Sequence, residues 1–137
     1  RLGLLRNLSA SEIAGQVLAA QEVLRADERI SNIVFMGMGE PLANYDAVVQ
    51  AVELLTADWG VGLSTRRITV STVGLVPAMQ RLVSDTSVQL AVSLSGTTDA
   101  QRERLMPINR RYPLGTLMAM CRSLPIPNVT SAVRPTR

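Results

Sequence analysis

Short apolar runs separated by stretches of helical periodicity constrain this chain more than any other feature. The runs are Asn32–Met36, Arg67–Ser71 and Ser87–Leu94. The gaps between them are too long for hairpins, and each carries apolar residues at three- and four-residue spacing. Strands joined in this way lie parallel, connected by right-handed helical crossovers. The last run is the clearest. Val88, Leu90, Val92 and Leu94 alternate with Ser87, Gln89, Ala91 and Ser93, so one face is apolar and the other small and polar.

The intervening segments read as helices. Ser9 and Glu12 form an S-x-x-E capping box, in which a hydroxyl and a carboxylate each satisfy an otherwise orphaned amide. Ile13, Val17, Ala20 and Leu24 follow at helical spacing and predict a buried stripe down to about Asp27. A second helix is expected from about Asn44 to Ala57, with Val48, Val52 and Leu55 on one face. A third has Pro77 in its first turn and carries Met79, Leu82 and Val83. Asp99–Leu105 and Leu114–Leu124 read as two shorter helices. The first run, Asn32–Met36, ends at glycines and predicts a buried strand.

This order fits an α/β fold, either an open doubly wound sheet or part of a (β/α) barrel. Thr69 and Ser71 share the parity of the polar face of the last strand. A face of serine, threonine, alanine and glutamine suits a ligand-holding lumen better than a sheet covered by helices on both sides. An incomplete barrel is therefore expected, since three strands cannot close one.

Composition removes several chemistries. The 137 residues are 47% hydrophobic and 18% charged, a globular balance. There is one cysteine, Cys121, and no histidine; all 14 basic residues are arginine. These residues hold no intrachain disulfide, no cysteine-only zinc or iron–sulfur site, no Ser-His-Asp triad and no histidine-ligated zinc. The net charge of +3 is too small to identify a partner. No apolar run approaches the roughly 20 residues of a membrane span, and a soluble cytoplasmic protein is expected.

In parallel α/β folds, ligands bind beyond the carboxyl ends of the strands. That rule selects Met36-Gly37-Met38-Gly39-Glu40-Pro41, Ser71-Thr72-Val73-Gly74 and Ser93-Leu94-Ser95-Gly96. Each combines small residues, which admit a ligand to the backbone, with groups that can hydrogen-bond it. Glu40 is the only acid among them and suits a positive group such as an α-amino group. The Gly37-Met38-Gly39 spacing lacks the third glycine of a dinucleotide fingerprint, and no phosphate-loop lysine follows. Arg66, Arg67, Arg102, Arg104, Arg110 and Arg111 are candidates for phosphate contacts, or for solvated positions paired with acids such as Glu103. Cys121, beside Met118 and Met120, reads as a small core residue.

Asn32–Leu42 (NIVFMGMGEPL), Arg66–Pro77 (RRITVSTVGLVP), Ala91–Ser95 (AVSLS) and Met106–Asn109 (MPIN), in that order and spacing, carry a resemblance. They resemble the dual-specificity radical S-adenosylmethionine (SAM) methyltransferases that modify C2 of adenine in 23S ribosomal RNA and transfer RNA. The resemblance runs from Arg6 to about Pro127. It implies that residues 1–127 are part of a radical SAM core domain with a partial (β/α) barrel. Residues 128–137 form an irregular tail that does not match.

The resemblance implies SAM as cofactor, with Gly39 and Glu40 at its amino group and Ser71, Ser93, Leu94 and Ser95 supplying further contacts. It also implies a [4Fe–4S] cluster in the full-length family, which cleaves SAM to a radical that acts on a cysteine-borne methyl group. The C-x-x-x-C-x-x-C cluster motif and the methyl-carrying cysteine have no match in these residues, and Cys121 fits neither role. The expected function is a fragment of such an enzyme, inactive alone, with no catalytic residue of its own. The related C8-adenine methyltransferases of antibiotic resistance and a non-catalytic truncated product are the alternatives.

Overall fold

The computed structural model describes residues 5–36 and 38–125. Helix α1 (Ala10–Glu22) starts where the sequence says it must: Ser9 Oγ accepts from the Glu12 amide while the Glu12 carboxylate accepts from the Ser9 amide. It ends at Glu22 rather than near Asp27, and its stripe is only half-buried, with Ala20 exposed. The reason is its position. α1 packs against α2 (Tyr45–Thr56), so Ile13, Ala14 and Val17 reach the edge of the core without being enclosed by it.

Strands β1 (Ile33–Phe35), β2 (Ile68–Thr72) and β3 (Gln89–Val92) form a parallel sheet in the order β1-β2-β3. The remaining helices are α3 (Val76–Asp85), α4 (Asp99–Leu105) and α5 (Leu114–Ser123), with 3₁₀ turns at Pro41–Asn44, Thr65–Arg67 and Pro107–Arg110. Pro77 lies in the first turn of α3, where its missing N–H has no partner to lose. The register aligns Val34 with Thr69 and Thr69 with Gln89, and places Ser71 opposite Ala91. The two sheet faces therefore separate as the alternation predicts.

One face is the core. Ile68, Val70, Val88 and Leu90 pack with Val48, Val52 and Leu55 of α2, Met79 and Leu82 of α3, and Leu117 and Met120 of α5. Burying a side chain of this size contributes about 1.5–3 kcal/mol, which makes this cluster the main stabilising element. Tyr45 and Arg81 pin α2 to α3 at the rim. The Tyr45 hydroxyl donates to Asp85 Oδ2 at 2.7 Å, and the Arg81 guanidinium lies 4.0 Å from the Tyr45 ring centroid.

The other face holds Val34, Thr69, Ser71, Gln89, Ala91 and Ser93. Thr69 Oγ1 donates to Gln89 Oε1 at 3.3 Å across the strands. β1, expected to be buried, is instead a half-exposed edge strand, with Val34 50% exposed. Periodicity identifies a strand but not its neighbours, and β1 has one neighbour among the described residues. Apolar and helix-covered on one side, polar on the other, the sheet is a partial (β/α) barrel. Residues 128–137 lie outside the described residues.

Candidate functional site

Each strand ends in a tight turn with a left-handed residue, and these turns lie side by side along the carboxyl edge of the sheet. Gly39 (φ +111°) follows β1, Gly74 (φ +105°) follows β2, and Ser95 (φ +53°) follows β3. The glycines adopt such angles freely. Ser95 does not, and a non-glycine residue held there costs about 1 kcal/mol or more, a kind of outlier that clusters at ligand-binding positions.

Glu40 begins the 3₁₀ turn Pro41–Asn44. Its Oε1 accepts from the Leu42 amide at 3.0 Å and its Oε2 from the Val73 amide at 2.8 Å. The half-buried carboxylate thus ties the end of β1 to the end of β2. Each oxygen spends one acceptor site on the backbone and keeps another free. Glu40 is therefore a structural brace as well as an acceptor, and the sequence pointed only to the second role.

Ser71 and Ser93 project from neighbouring strands on the polar face, with their hydroxyl oxygens 3.5 Å apart. The Ser93 amide donates to Thr72 O at 2.9 Å, extending the β2–β3 ladder past the end of β3. Thr72 turns the other way, is buried, and accepts from the Gly74 amide through Oγ1 at 3.1 Å. The structure therefore brings Ser71 together with Ser93, links Glu40 to the segment after Ser71, and sets Leu94 and Ser95 in the turn beyond. Gly37 lies outside the described residues.

Arg102 lies beneath these turns, and sequence reasoning missed its place. Grouped with possible phosphate contacts, it is instead fully buried. One terminal nitrogen donates to Ser93 O at 2.9 Å and Leu94 O at 2.5 Å; the other donates to Val73 O. Burial pushes its pKa down, opposed by the charge of Asp99. An arginine within Gln101-Arg102-Glu103-Arg104 looks like part of a solvated face, so no local signal marks it. Arg66, Arg67, Arg104, Arg110 and Arg111 are exposed. Arg110 pairs with Glu103 at 2.5 Å, and Arg111 lies over the Tyr112 ring.

The Pro-Ile-Asn segment braces the same region from outside. Buried Asn109 donates to Asp99 Oδ1 at 2.8 Å, and that oxygen also accepts from the Leu114 amide at 2.7 Å at the start of α5. These donors, the Leu114 amide foremost, hold the Asp99 carboxyl below the usual carboxylate range. Cys121 is half-buried on α5 among core residues, and desolvation pushes its thiol pKa up. Among the described residues no group of three or more His, Cys, Asp or Glu could hold a metal, and no helix is long and apolar enough to cross a membrane.

No family model matches the sequence. Individual relatives do. The dual-specificity RNA methyltransferase RlmN of Geobacter sulfurreducens is 56% identical over 124 residues, covering 90% of this chain and 33% of the relative. The protein of the same name from Syntrophobacter fumaroxidans is 53% identical over 126 residues, covering 92% and 37%. A radical SAM methyltransferase from Sphaerobacter thermophilus superposes with a TM-score of 0.84 at 49% identity, covering 88% of this chain and 36% of that one. The chain spans about a third of the length of the curated relatives it matches. By sequence and by fold, it belongs to the family of radical SAM RNA methyltransferases that these relatives represent.

Proposed function

We propose that this chain supplies most of the SAM pocket of an RNA methyltransferase that modifies C2 of adenine in 23S ribosomal RNA and transfer RNA. The observation that carries the reading is the convergence of Glu40, Ser71 and Ser93 at the carboxyl edge of a parallel sheet, where such folds take their ligands. The relatives are named dual-specificity RNA methyltransferases, which supports the substrate class. Residues 1–127 count as part of the radical SAM core domain, and an enzyme acting on these RNAs works in the cytoplasm.

The residues at this edge fit the amino-acid end of SAM. The acceptor sites that Glu40 keeps suit an ammonium, and Gly39 lets a ligand come close to the backbone. The Ser71 and Ser93 hydroxyls can donate to a carboxylate, and the turn at Leu94 and Ser95 supplies further polar backbone. When bound in a radical SAM enzyme, SAM is the source of the reactive species. The task of these residues is to hold it in one orientation and keep water from its polar end.

The residues do not fit the [4Fe–4S] cluster. That group is held by cysteine thiolates, and the single cysteine here lies half-buried against the core on α5. No step through the cluster is assigned to this chain, which by itself is expected to be inactive.

Calorimetric titration of SAM tests the reading. The chain should bind one equivalent, and the Ser71→Ala, Ser93→Ala double variant should bind at least about fivefold more weakly, since each lost hydrogen bond is worth roughly 0.5–1.5 kcal/mol. Absence of saturable binding, or equal affinity in the two proteins, contradicts the proposal.

A further inference from the structure

We propose that Arg102 is a positioning residue: its buried guanidinium clamps the turns after β2 and β3 and so holds Ser93, Leu94 and Ser95 in the shape that receives the ligand. The clamp rests on the SAM-pocket reading for its function, while its geometry stands independently. One planar group reaches three carbonyls, those of Val73, Ser93 and Leu94, and so bridges two loops whose strands, among the described residues, are otherwise linked through side-chain hydrogen bonds at this end by the serine pair alone. The Leu94 carbonyl it holds immediately precedes Ser95, the residue fixed in left-handed backbone. A strained residue persists only where its surroundings over-determine it, and Arg102 supplies that constraint.

The surrounding sequence makes room for the clamp. A Cβ on Gly74 would lie 3.2 Å from an Arg102 terminal nitrogen, and a Cβ on Gly96 would lie 3.0 Å from the Arg102 amide. Both neighbours are glycine, and each lies in one of the loops being held. Arg102 Nε is buried with no partner among the described residues, so its burial does not maximise hydrogen bonding. The fork is aimed instead at the strand-end carbonyls. Lysine, a point charge on a flexible stem, cannot span three acceptors in fixed directions.

The test compares the chain with Arg102→Lys, using Tyr45→Phe, which breaks the α2–α3 contact to Asp85 instead, as a destabilised control. The proposal expects Arg102→Lys to bind SAM at least tenfold more weakly and to lose at least tenfold in hydrogen-exchange protection at the Ser93 and Gly74 amides. Tyr45→Phe should keep both. Equal SAM affinity and equal protection in Arg102→Lys overturn the clamp, as does loss of affinity in both variants in proportion to their lost stability. In the unmutated chain, nitrogen NMR of Arg102 should resolve its two terminal nitrogens through hindered rotation. A single averaged signal overturns the clamp even if Arg102→Lys does not fold. Failure of the unmutated chain to bind SAM, with the nitrogens resolved and the protection loss observed, sinks the pocket and leaves the clamp standing.

Discussion

Replacing Gly74 by alanine perturbs the joint where the β2 turn, Arg102 and α5 meet. The added Cβ would lie 3.0 and 3.1 Å from the two Leu117 methyl carbons and 3.2 Å from Arg102 Nη2. Leu117 is fully buried and cannot swing into solvent, and Arg102 is held by the Val73 carbonyl. Overpacking of this kind costs roughly 1–3 kcal/mol. Gly74 also has φ +105°, and an alanine forced into left-handed backbone costs a further 1–2 kcal/mol or so. The sum, about 2–5 kcal/mol, is a large part of a typical domain stability of roughly 5–15 kcal/mol. At roughly 3–5 °C per kcal/mol for a chain of this size, Tm should fall by about 6 °C or more. Thermal unfolding followed by far-ultraviolet circular dichroism reads this directly. Gly115→Ala is the matched control: in α5 its Cβ would meet nothing within 4 Å, and it should stabilise by about 0.5–1 kcal/mol. A Tm for Gly74→Ala within about 3 °C of the unmutated chain would refute the packing argument.

Two further expectations concern charge. Glu12 has its pKa pulled down to about 2, first by the Arg6 side chain and then by the Ser9 amide. The stabilising effect of its ionised form is present above the ordinary carboxylate range and is lost as pH falls from there toward 2. Glu12→Gln should therefore flatten the decline in urea midpoint between pH 5 and pH 2.5, and an unchanged slope contradicts the assignment. Tyr45 is pushed up to about 12, by burial first and by Asp85 next. Its neutral form stabilises the fold fully below pH 10, and that contribution is lost as pH rises through 12. Tyr45→Phe should cost about 1–2 kcal/mol at neutral pH, from loss of a hydrogen bond to a carboxylate, and should lack this alkaline limb in chemical unfolding.

Local chemistry was legible in the sequence. The Ser9–Glu12 box, the position of Pro77 and the alternation from Val88 to Leu94 each depend on residues a few places apart, and each appears in the fold where expected. So does the gathering of Ser71 and Ser93, because strand parity and a parallel register fix it. What depended on distant partners was not legible. The edge position of β1 is set by which strands lie beside it, not by Ile33-Val34-Phe35. The bond from Glu40 to Val73 spans two elements. Arg102 is the clearest case: its helix is short and highly charged, and only the three-dimensional approach of two glycine-containing turns makes it a core residue.

Amide chemical-shift mapping shows whether SAM binds at the carboxyl edge of the sheet. On titration of SAM into the isotope-labelled chain, saturable shifts should centre on Gly39, Glu40, Ser71, Ser93, Leu94 and Ser95. A shallow, open depression lies nearby, lined by Thr97, Thr98, Leu114 and Met118 among others. Shifts confined to that depression, or none at saturating SAM, would rule out a SAM site at the carboxyl edge.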